Sequence, residues 1–255
     1  MIKPIVTLIL GLGIFTMQTV KAQPTVYVAG FENTKINDIN VSVARYWVNG
    51  KPVSLTDGKT DSYCKMITLN NREIYIAGAI ADNEGIFKPT YWKNNSPTIL
   101  NSGSVSAFAN NVFVKNNDLY VSIESLGWKP VDNEYWKNNS PVVLKKTNAT
   151  IVTKAIFVDD QNTVYAVGTH IEGRDGLIFP VAAYWKNGEE ILLTDKKHES
   201  SGQAIFIDGT DVYIAGYETY VQENKNYVSG FMATYWKMAK LYTFRIKQKQ
   251  IMPLR

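Results

Sequence analysis

The side chains best suited to acid–base or metal chemistry are the two histidines, His170 and His198. Glu172 lies two residues after His170, and a histidine beside a carboxylate could transfer protons or begin a metal site. A zinc site needs three or four ligands, however, and the chain has only two histidines. We therefore predict a binding surface with no catalytic residue, no metal and no cofactor. Its predicted residues are His170, Glu172, Arg174, Asp175, His198, Tyr217, Glu218 and Tyr220.

The only cysteine is Cys64, so the chain cannot form an internal disulfide and its stability must come from packing. A lone thiol could be a nucleophile beside a histidine. Cys64 instead lies in an apolar stretch, Tyr63-Cys64-Lys65-Met66-Ile67, which favours a small residue inside a strand.

A sequence motif that occurs five times indicates which secondary-structure elements position these side chains. A short apolar run such as Val-Tyr-Ile-Ala-Gly is followed, after a variable segment, by a Tyr-Trp pair. Successive pairs are separated by 45, 44, 49 and 51 residues, a period that is typical of arrays of small stacked units. The pairs are Tyr46-Trp47, Tyr91-Trp92, Tyr135-Trp136, Tyr184-Trp185 and Tyr235-Trp236.

Each repeat predicts four short antiparallel strands separated by turns rich in Asn, Asp and Gly, and no segment shows a sustained helical period. This pattern predicts an all-β fold, a β-propeller of four-stranded blades with five repeats visible and an incomplete C-terminus. A β-sandwich is the main alternative, but it would not require such self-similarity. The adjacent Tyr and Trp point to opposite faces of a strand, which predicts packing between blades; a ring of sugar-stacking platforms is the functional alternative. The glycines at positions 30, 78, 168 and 216 are interpreted as close-approach or turn positions.

The segments of variable length between the second and third strands are predicted to be loops on one face of the propeller. This variable-loop face, to which the segments between the fourth and first strands also contribute, carries both histidines and is where we expect binding to occur. The predicted second-to-third loops are 31–43, 79–90, 124–134, 169–183 and 217–233.

Both ends of the chain differ from the repeats. Residues 1–22 have the pattern of a signal peptide, with Lys3, a short apolar run and small residues before Gln23, so we expect residues 23–237 to form the exported propeller. Residues 238–255 do not match the fourth strand that follows Tyr-Trp elsewhere. One adenine inserted before the Met238 codon would restore Lys-Asn-Gly and a compatible strand, so we interpret 238–255 as an out-of-frame tail.

The formal charge of +4 invites a nucleic-acid or membrane interpretation. Seven of the basic residues lie in the two end segments, which contain no acidic residue, and their removal leaves 20 basic against 23 acidic residues. We therefore expect no nucleic-acid binding and no membrane insertion of the mature chain. The expected location is periplasmic, cell-surface or extracellular.

With its Tyr-Trp-Lys-Asn-Gly and Val-Tyr-Ile-Ala-Gly phrases, the chain resembles secreted bacterial β-propeller-like repeat proteins, over about residues 24–237. The resemblance implies export and a propeller, and it provides no catalytic residues. The chain lacks the Trp-Asp ending of WD40 repeats, the double glycine of kelch repeats and the Ser-x-Asp-x-Gly-x-Thr-Trp box of sialidase-type propellers.

Three functional hypotheses remain open from the sequence. The first is a non-enzymatic scaffold that binds a surface protein or a glycan through the variable-loop face. The second is a secreted hydrolase or lyase acting on glycans or small molecules, with acidic residues near the central channel. The third is the truncated product of a degraded gene with no present function.

Overall fold

The computed structural model describes residues 24–126, 135–144, 149–174, 177–221 and 228–237. The predicted signal peptide and the predicted out-of-frame tail both lie outside these residues, so both interpretations stay predictions. Every regular element in the described residues is a β-strand, which confirms the all-β class.

The strands form five antiparallel sheets, one for each repeat. The first sheet has the order β1-β2-β3 and the second β4-β5-β6-β7. Their bounds are β1 Tyr27–Ile36, β2 Ile39–Val48, β3 Lys51–Ser54, β4 Ser62–Asn70, β5 Glu73–Ala81, β6 Phe87–Lys93 and β7 Ser96–Ile99.

The third and fourth sheets also have four strands, in the orders β8-β9-β10-β11 and β12-β13-β14-β15, and the fifth has the order β16-β17-β18. Their bounds are β8 Ala107–Lys115, β9 Asp118–Ser125, β10 Tyr135–Lys137, β11 Ser140–Val142, β12 Thr150–Val158, β13 Val164–Arg174, β14 Leu177–Lys186, β15 Glu189–Leu192, β16 Ser200–Asp208, β17 Asp211–Val221 and β18 Val228–Lys237.

In the first four sheets, the Asn of a Val-Asn-Gly, Lys-Asn-Asn or Lys-Asn-Gly motif closes the hairpin that follows the Tyr-Trp strand. Asn187 has a φ of 50° and Gly188 a φ of 85°, the left-handed pair that a type I′ turn needs. The Asn187 amide N–H donates to the Val164 carbonyl, and the Asn187 Oδ1 accepts the Val164 N–H at 2.9 Å. Asn49, Asn94 and Asn138 make the same pair of bonds to Val26, Ile74 and Leu119, so these asparagines hold the start of the second strand.

The hydrophobic core lies between successive sheets, because the Tyr of one sheet and the Trp of the next are buried in the same cluster. Tyr46 lies with Trp92, Tyr91 with Trp136, Tyr135 with Trp185, and Tyr184 with Trp236. The predicted packing of the Tyr-Trp pair between sheets is therefore confirmed. Since this packing repeats four times, it fixes the sheets as a stack in chain order.

Two details of the predicted fold need correction. No closed ring is seen over the described residues, so the structure establishes five stacked sheets rather than a closed propeller. The segment 31–43 was predicted to be a loop, but β1 runs on to Ile36 and β2 begins at Ile39, with a turn only at Asn37 and Asp38. Segments 169–183 and 217–233 are likewise mostly strand. The pairing continues because the extra residues still offer backbone groups in register on both strands.

No helix among the described residues is both long and apolar enough to cross a membrane.

Candidate active site

A β-bulge occurs at the same place in the first strand of each four-stranded sheet and of the fifth sheet. In β4 the pairing skips from Cys64 to Met66, which leaves Lys65 as the extra residue. The corresponding skips leave Asn110 in β8, Lys154 in β12 and Gln203 in β16. A bulge commonly re-aims a side chain near a functional site. Here the extra residue is polar in all four strands.

Three of these bulge residues meet at Glu124 of β9, and we call Lys65, Asn110, Glu124 and Lys154 the Glu124 cluster. Lys65 Nζ donates to Asn110 Oδ1 at 2.8 Å, and Asn110 Nδ2 donates to Glu124 Oε2 at 2.6 Å. Lys154 Nζ pairs with Glu124 Oε1, while Lys65 Nζ lies 3.9 Å from Glu124 Oε2. The cluster therefore joins the second, third and fourth sheets.

Burial acts on the pKa values of Glu124 and Lys65 in opposite directions. Side-chain exposure is 23% for Glu124, 20% for Lys154 and 38% for Lys65. Desolvation alone would raise the pKa of Glu124, but hydrogen bonds from Lys154 and Asn110 and the charges of both lysines hold it below its ordinary value. Desolvation lowers the pKa of Lys65, with the charge of Glu124 opposing this and the charge of Lys154 adding to it. The cluster thus presents an ionised carboxylate and a lysine that loses its proton more readily than usual.

Four aromatic side chains that contact one another lie beside this cluster, and we call them the aromatic row. Its members are Phe31, Tyr63, Phe87 and Phe108. Ring centroids are 4.7 Å apart for Phe31 and Tyr63, and 5.1 Å apart for Phe87 and Phe108. Lys65 Nζ lies 4.5 Å from the centroid of the buried Phe108 ring, so the aromatic row contacts the Glu124 cluster. Phe31 is 48% exposed, which leaves part of the row open to a ligand.

The predicted binding residues are distributed over the fourth and fifth sheets. His170 on β13 is buried, and its Nδ1 lies 2.8 Å from Glu190 Oε1. Its neighbours Glu172 and Arg174 are also on β13, where they pair with Phe179 and Leu177 of β14, and Asp175 lies outside the described residues. The exposed His198 lies in the connection between β15 and β16.

The other three predicted residues are on β17. Tyr217 packs edge-on against Phe231, with ring centroids 5.1 Å apart. Glu218 pairs with Ser200 and Met232, and Tyr220 is 40% exposed. The binding role of all eight residues stays a prediction.

Sequence reasoning missed the four residues of the Glu124 cluster. A signal was present, because Lys65, Asn110, Lys154 and Gln203 recur at the repeat period, each near the start of a first strand. Glu124 itself could not be found this way, since the corresponding residues in the other repeats are Phe31, Ala79, Thr169 and Tyr217. Cys64, next to the bulge, is buried, and this raises the pKa of its thiol to about 12, in agreement with the prediction of a strand residue.

A concave region lies at the opposite end of the sheets from the Glu124 cluster. It is a cavity of about 400 Å³ with Phe113 and Phe157 on its apolar side and the Lys115–Asp160 ion pair on its polar side. Its Asp159 accepts the backbone N–H groups of Gln161 and Thr163, which assigns that carboxylate to a turn. Among the described residues, no group of three His, Cys, Asp or Glu side chains is placed to hold a metal ion.

No protein-family model and no curated protein matches the chain. Two solved structures similar to it are both of an ulvan lyase, described as a new family of polysaccharide lyase. One is bound to -[GlcA(1-4)Rha3S]-, with a TM-score of 0.46 and 12% identity over 77% of this chain and 58% of the lyase. The other has a TM-score of 0.47 and 12% identity over 84% of this chain and 63% of the lyase. The chain therefore spans about three fifths of the length of these lyases.

These structures correct the first functional hypothesis. A non-enzymatic scaffold was expected, whereas the two similar solved structures are of a polysaccharide lyase. At this level of similarity, the argument for an activity has to come from the side chains of this chain.

Proposed function

We propose that this protein cleaves an acidic glycan by β-elimination at the Glu124 cluster. The observation that carries the proposal is the position of Lys65, a lysine with a lowered pKa, between the partly exposed aromatic row and a second lysine that is fixed by a carboxylate. A lysine that deprotonates readily can act as a general base, and perturbed lysines are concentrated at functional sites.

The aromatic row supports a glycan as the substrate class. Phe31, Tyr63, Phe87 and Phe108 group four aromatic rings across three sheets, of which Phe31 is the most exposed, and sugar rings offer apolar faces that can stack on such side chains. The charges support an acidic glycan, because two lysines lie at the end of the row where the reacting sugar would be.

Elimination fits the cluster better than hydrolysis does. Glycoside hydrolases commonly use two carboxyl groups, one of which must be protonated to act as the acid. The described cluster has one carboxylate, Glu124, and its lowered pKa keeps it ionised. Elimination requires instead a base for the proton next to the substrate's carboxylate, and a cation that stabilises the negative charge that develops there.

The roles of the residues follow from this chemistry. Neutral Lys65 removes the proton from the carbon next to the sugar carboxylate. The electron pair of that C–H bond forms a C=C bond as the glycosidic C–O bond breaks, and the leaving oxygen takes a proton from solvent. Lys154, held by Glu124, supplies the positive charge beside the carboxylate, and Asn110 positions both Lys65 and Glu124 through its two hydrogen bonds.

For the fold, we propose that the five sheets are consecutive blades of a propeller. Support comes from their stacking in chain order and from the repeated burial of the Tyr-Trp pair between them. In that arrangement the bulges lie on the innermost strands, so the Glu124 cluster would face the central channel. The proposals of export and of relation to secreted bacterial propeller-like proteins rest on the N-terminal sequence and the repeat phrases.

The test is an assay on soluble glycans that contain uronic acids, with neutral glycans of the same length as a control. The product of elimination absorbs ultraviolet light because its new C=C bond is conjugated with the carboxylate. We expect absorbance with the acidic glycans only, and a loss of about 10²–10⁴-fold in rate for Lys65→Met. Lys137→Met is the matched control, since Lys137 forms its ion pair with Asp118 on the third sheet outside the cluster. Absence of absorbance with every acidic glycan, or equal loss in the two variants, would contradict the proposal.

A further inference from the structure

The turn between the first and second strands is longer in the fourth sheet than in the sheets around it. Five residues, 159–163, connect β12 to β13. The corresponding turns of the second, third and fifth sheets have two residues each, namely 71–72, 116–117 and 209–210. The longer turn therefore adds polar side chains to the fourth sheet at a place where the other repeats have none, and added turns on a rigid scaffold commonly carry binding groups.

Hydrogen bonds within this turn fix its shape. Asp159 Oδ1 accepts the backbone N–H of Gln161 at 2.9 Å and that of Thr163 at 2.8 Å. Asp159 Oδ2 accepts the hydroxyl of Tyr165, the second residue of β13, at 3.2 Å. Both oxygens of the carboxylate are thus used to hold the turn against its own sheet.

Two side-chain contacts also tie the turn to the third sheet. Lys115 Nζ, at the end of β8, lies 2.5 Å from Asp160 Oδ1, and Asn116 Nδ2 donates to Asn162 Oδ1 at 2.8 Å. The turn is therefore held in place before any ligand arrives. Such preorganisation lowers the entropic cost of binding.

The turn forms one wall of the cavity of about 400 Å³ that lies among the third, fourth and fifth sheets. The half-buried rings of Phe113 and Phe157, whose centroids are 5.2 Å apart, and the buried Ile207 line its apolar side. Gln161 and Thr210 are exposed and line its polar side together with the Lys115–Asp160 pair. The volume falls in the range of about 300–1,000 Å³ that is typical of small-molecule sites.

These groups match the two kinds of surface that a sugar ring presents. The C–H face of a sugar can pack on an aromatic ring, and its hydroxyl groups can bond to carboxylate, ammonium and amide groups. Lys115 is the basic residue among the described residues that line the cavity, and its charge is already paired with Asp160. Since Asp159 adds a second carboxylate, the charge of the lining disfavours an acidic ligand.

We propose that this cavity is a second carbohydrate site, which binds one or two rings of a neutral sugar. The C–H face of the sugar packs on Phe157 and Phe113, and its hydroxyl groups bond to Asp160, Lys115 and Gln161. The two sites differ in charge, because the Glu124 cluster has two lysines for one carboxylate. Binding here does not require elimination at the Glu124 cluster.

Titration calorimetry of the full chain with four neutral disaccharides, cellobiose, maltose, lactose and mannobiose, tests the proposal. We expect saturable binding of at least one of them and about tenfold weaker binding of it by Asp160→Ala. The Asp160 side chain is 87% exposed, so this variant should fold normally. Asp38→Ala is the matched control, because Asp38 is an exposed acid that pairs with Lys35 in a turn of the first sheet. Binding of none of the four sugars, or equal weakening in both variants, would overturn the proposal.

Two further variants show which site holds the neutral sugar. Phe157→Leu removes a ring from the cavity but keeps an apolar side chain, and we expect about tenfold weaker binding with a cooperative thermal unfolding transition retained. Lys65→Met alters the Glu124 cluster, and binding of the neutral sugar should be unchanged. If Lys65→Met abolishes this binding while Phe157→Leu leaves it intact, the sugar binds at the Glu124 cluster and the cavity is not a carbohydrate site.

Discussion

Glu124 is the residue on which the candidate site depends, because it accepts from groups on two other strands. Its Oε2 accepts from Asn110 and its Oε1 pairs with Lys154, and these contacts keep it ionised despite partial burial. If Glu124 were absent, two lysines and an asparagine would lose a common partner. Its loss should therefore affect both stability and activity.

At the residue scale, we predict that Glu124→Gln destabilises the protein by about 1–3 kcal/mol at neutral pH. A carboxylate with a lowered pKa in the folded state stabilises the fold above its unfolded pKa, and this contribution is lost as the pH falls through the lowered value. The difference between wild type and variant should therefore shrink on acidification below the ordinary value of 4.5. Urea unfolding of wild type and variant at several pH values measures this difference in stability.

The matched control for this experiment is Asp57→Asn. Asp57 has its pKa lowered mainly by a hydrogen bond from Lys59, but it is fully exposed, so solvent screens the pair and we expect no measurable change in stability. A difference for Glu124→Gln that stays constant or grows from neutral to acidic pH would contradict the assignment of an ionised, hydrogen-bonded carboxylate.

At the element scale, the repeated Tyr-Trp pair provides a natural comparison between identical residues in different packing. Trp185 is fully buried between the third and fourth sheets, whereas Trp47 lies half-buried on the outer face of the first sheet. We predict that Trp185→Ala lowers the free energy of unfolding by about 3–5 kcal/mol. Trp47→Ala should lower it by clearly less, because less apolar surface is lost. Chemical denaturation of both variants measures the two losses in free energy of unfolding. Equal losses would show that the inter-sheet packing is not what stabilises the stack.

The glycines of the second strands give another prediction. A Cβ at Gly168 would lie 1.9 Å from the Val152 carbonyl oxygen, next to the bulge in β12. A Cβ at Gly30 would meet only the Trp47 ring, with its nearest atom at 3.4 Å. We predict that Gly168→Ala costs about 1–3 kcal/mol, whereas Gly30→Ala is tolerated, as thermal unfolding of the two variants would show. A similar loss in both would contradict the role given to the bulge.

The strands and turns were predictable because the same apolar runs and the same turn residues recur in successive repeats. The asparagine turns, the alternation of Tyr and Trp and the close approach at Gly78, Gly168 and Gly216 all follow from local residue types. A bulge alone does not demand glycine, however, since Ile123 occupies this place in the third sheet.

The lengths of the hairpins and the site were not predictable in the same way. Residues such as Asn33 and Thr34 suggest a loop, but in the structure they pair with Ser42 and Val41 as regular strand. The Glu124 cluster depends on side chains from three sheets, and their convergence follows from inter-sheet stacking and from bulges that no local pattern reveals. His170 was predicted as a binding residue because histidine suits acid–base chemistry. In the structure it is buried in the fourth sheet and contacts Glu190.

At the scale of the whole molecule, the stack of sheets positions the proposed site. The bulges bring Lys65, Asn110 and Lys154 of three sheets to Glu124, and the aromatic row extends from them towards the first sheet.

The most direct test of elimination at the Glu124 cluster is the mass of the products formed from an acidic glycan of defined length. Elimination adds nothing to the substrate, so we predict that the masses of the two fragments sum to the mass of the substrate and that the new non-reducing end is unsaturated. The Lys65→Met variant should form these fragments about 10²–10⁴-fold more slowly. Fragments whose summed mass exceeds that of the substrate by one water would show hydrolysis, and an intact glycan would show that the cluster has no lyase activity on it.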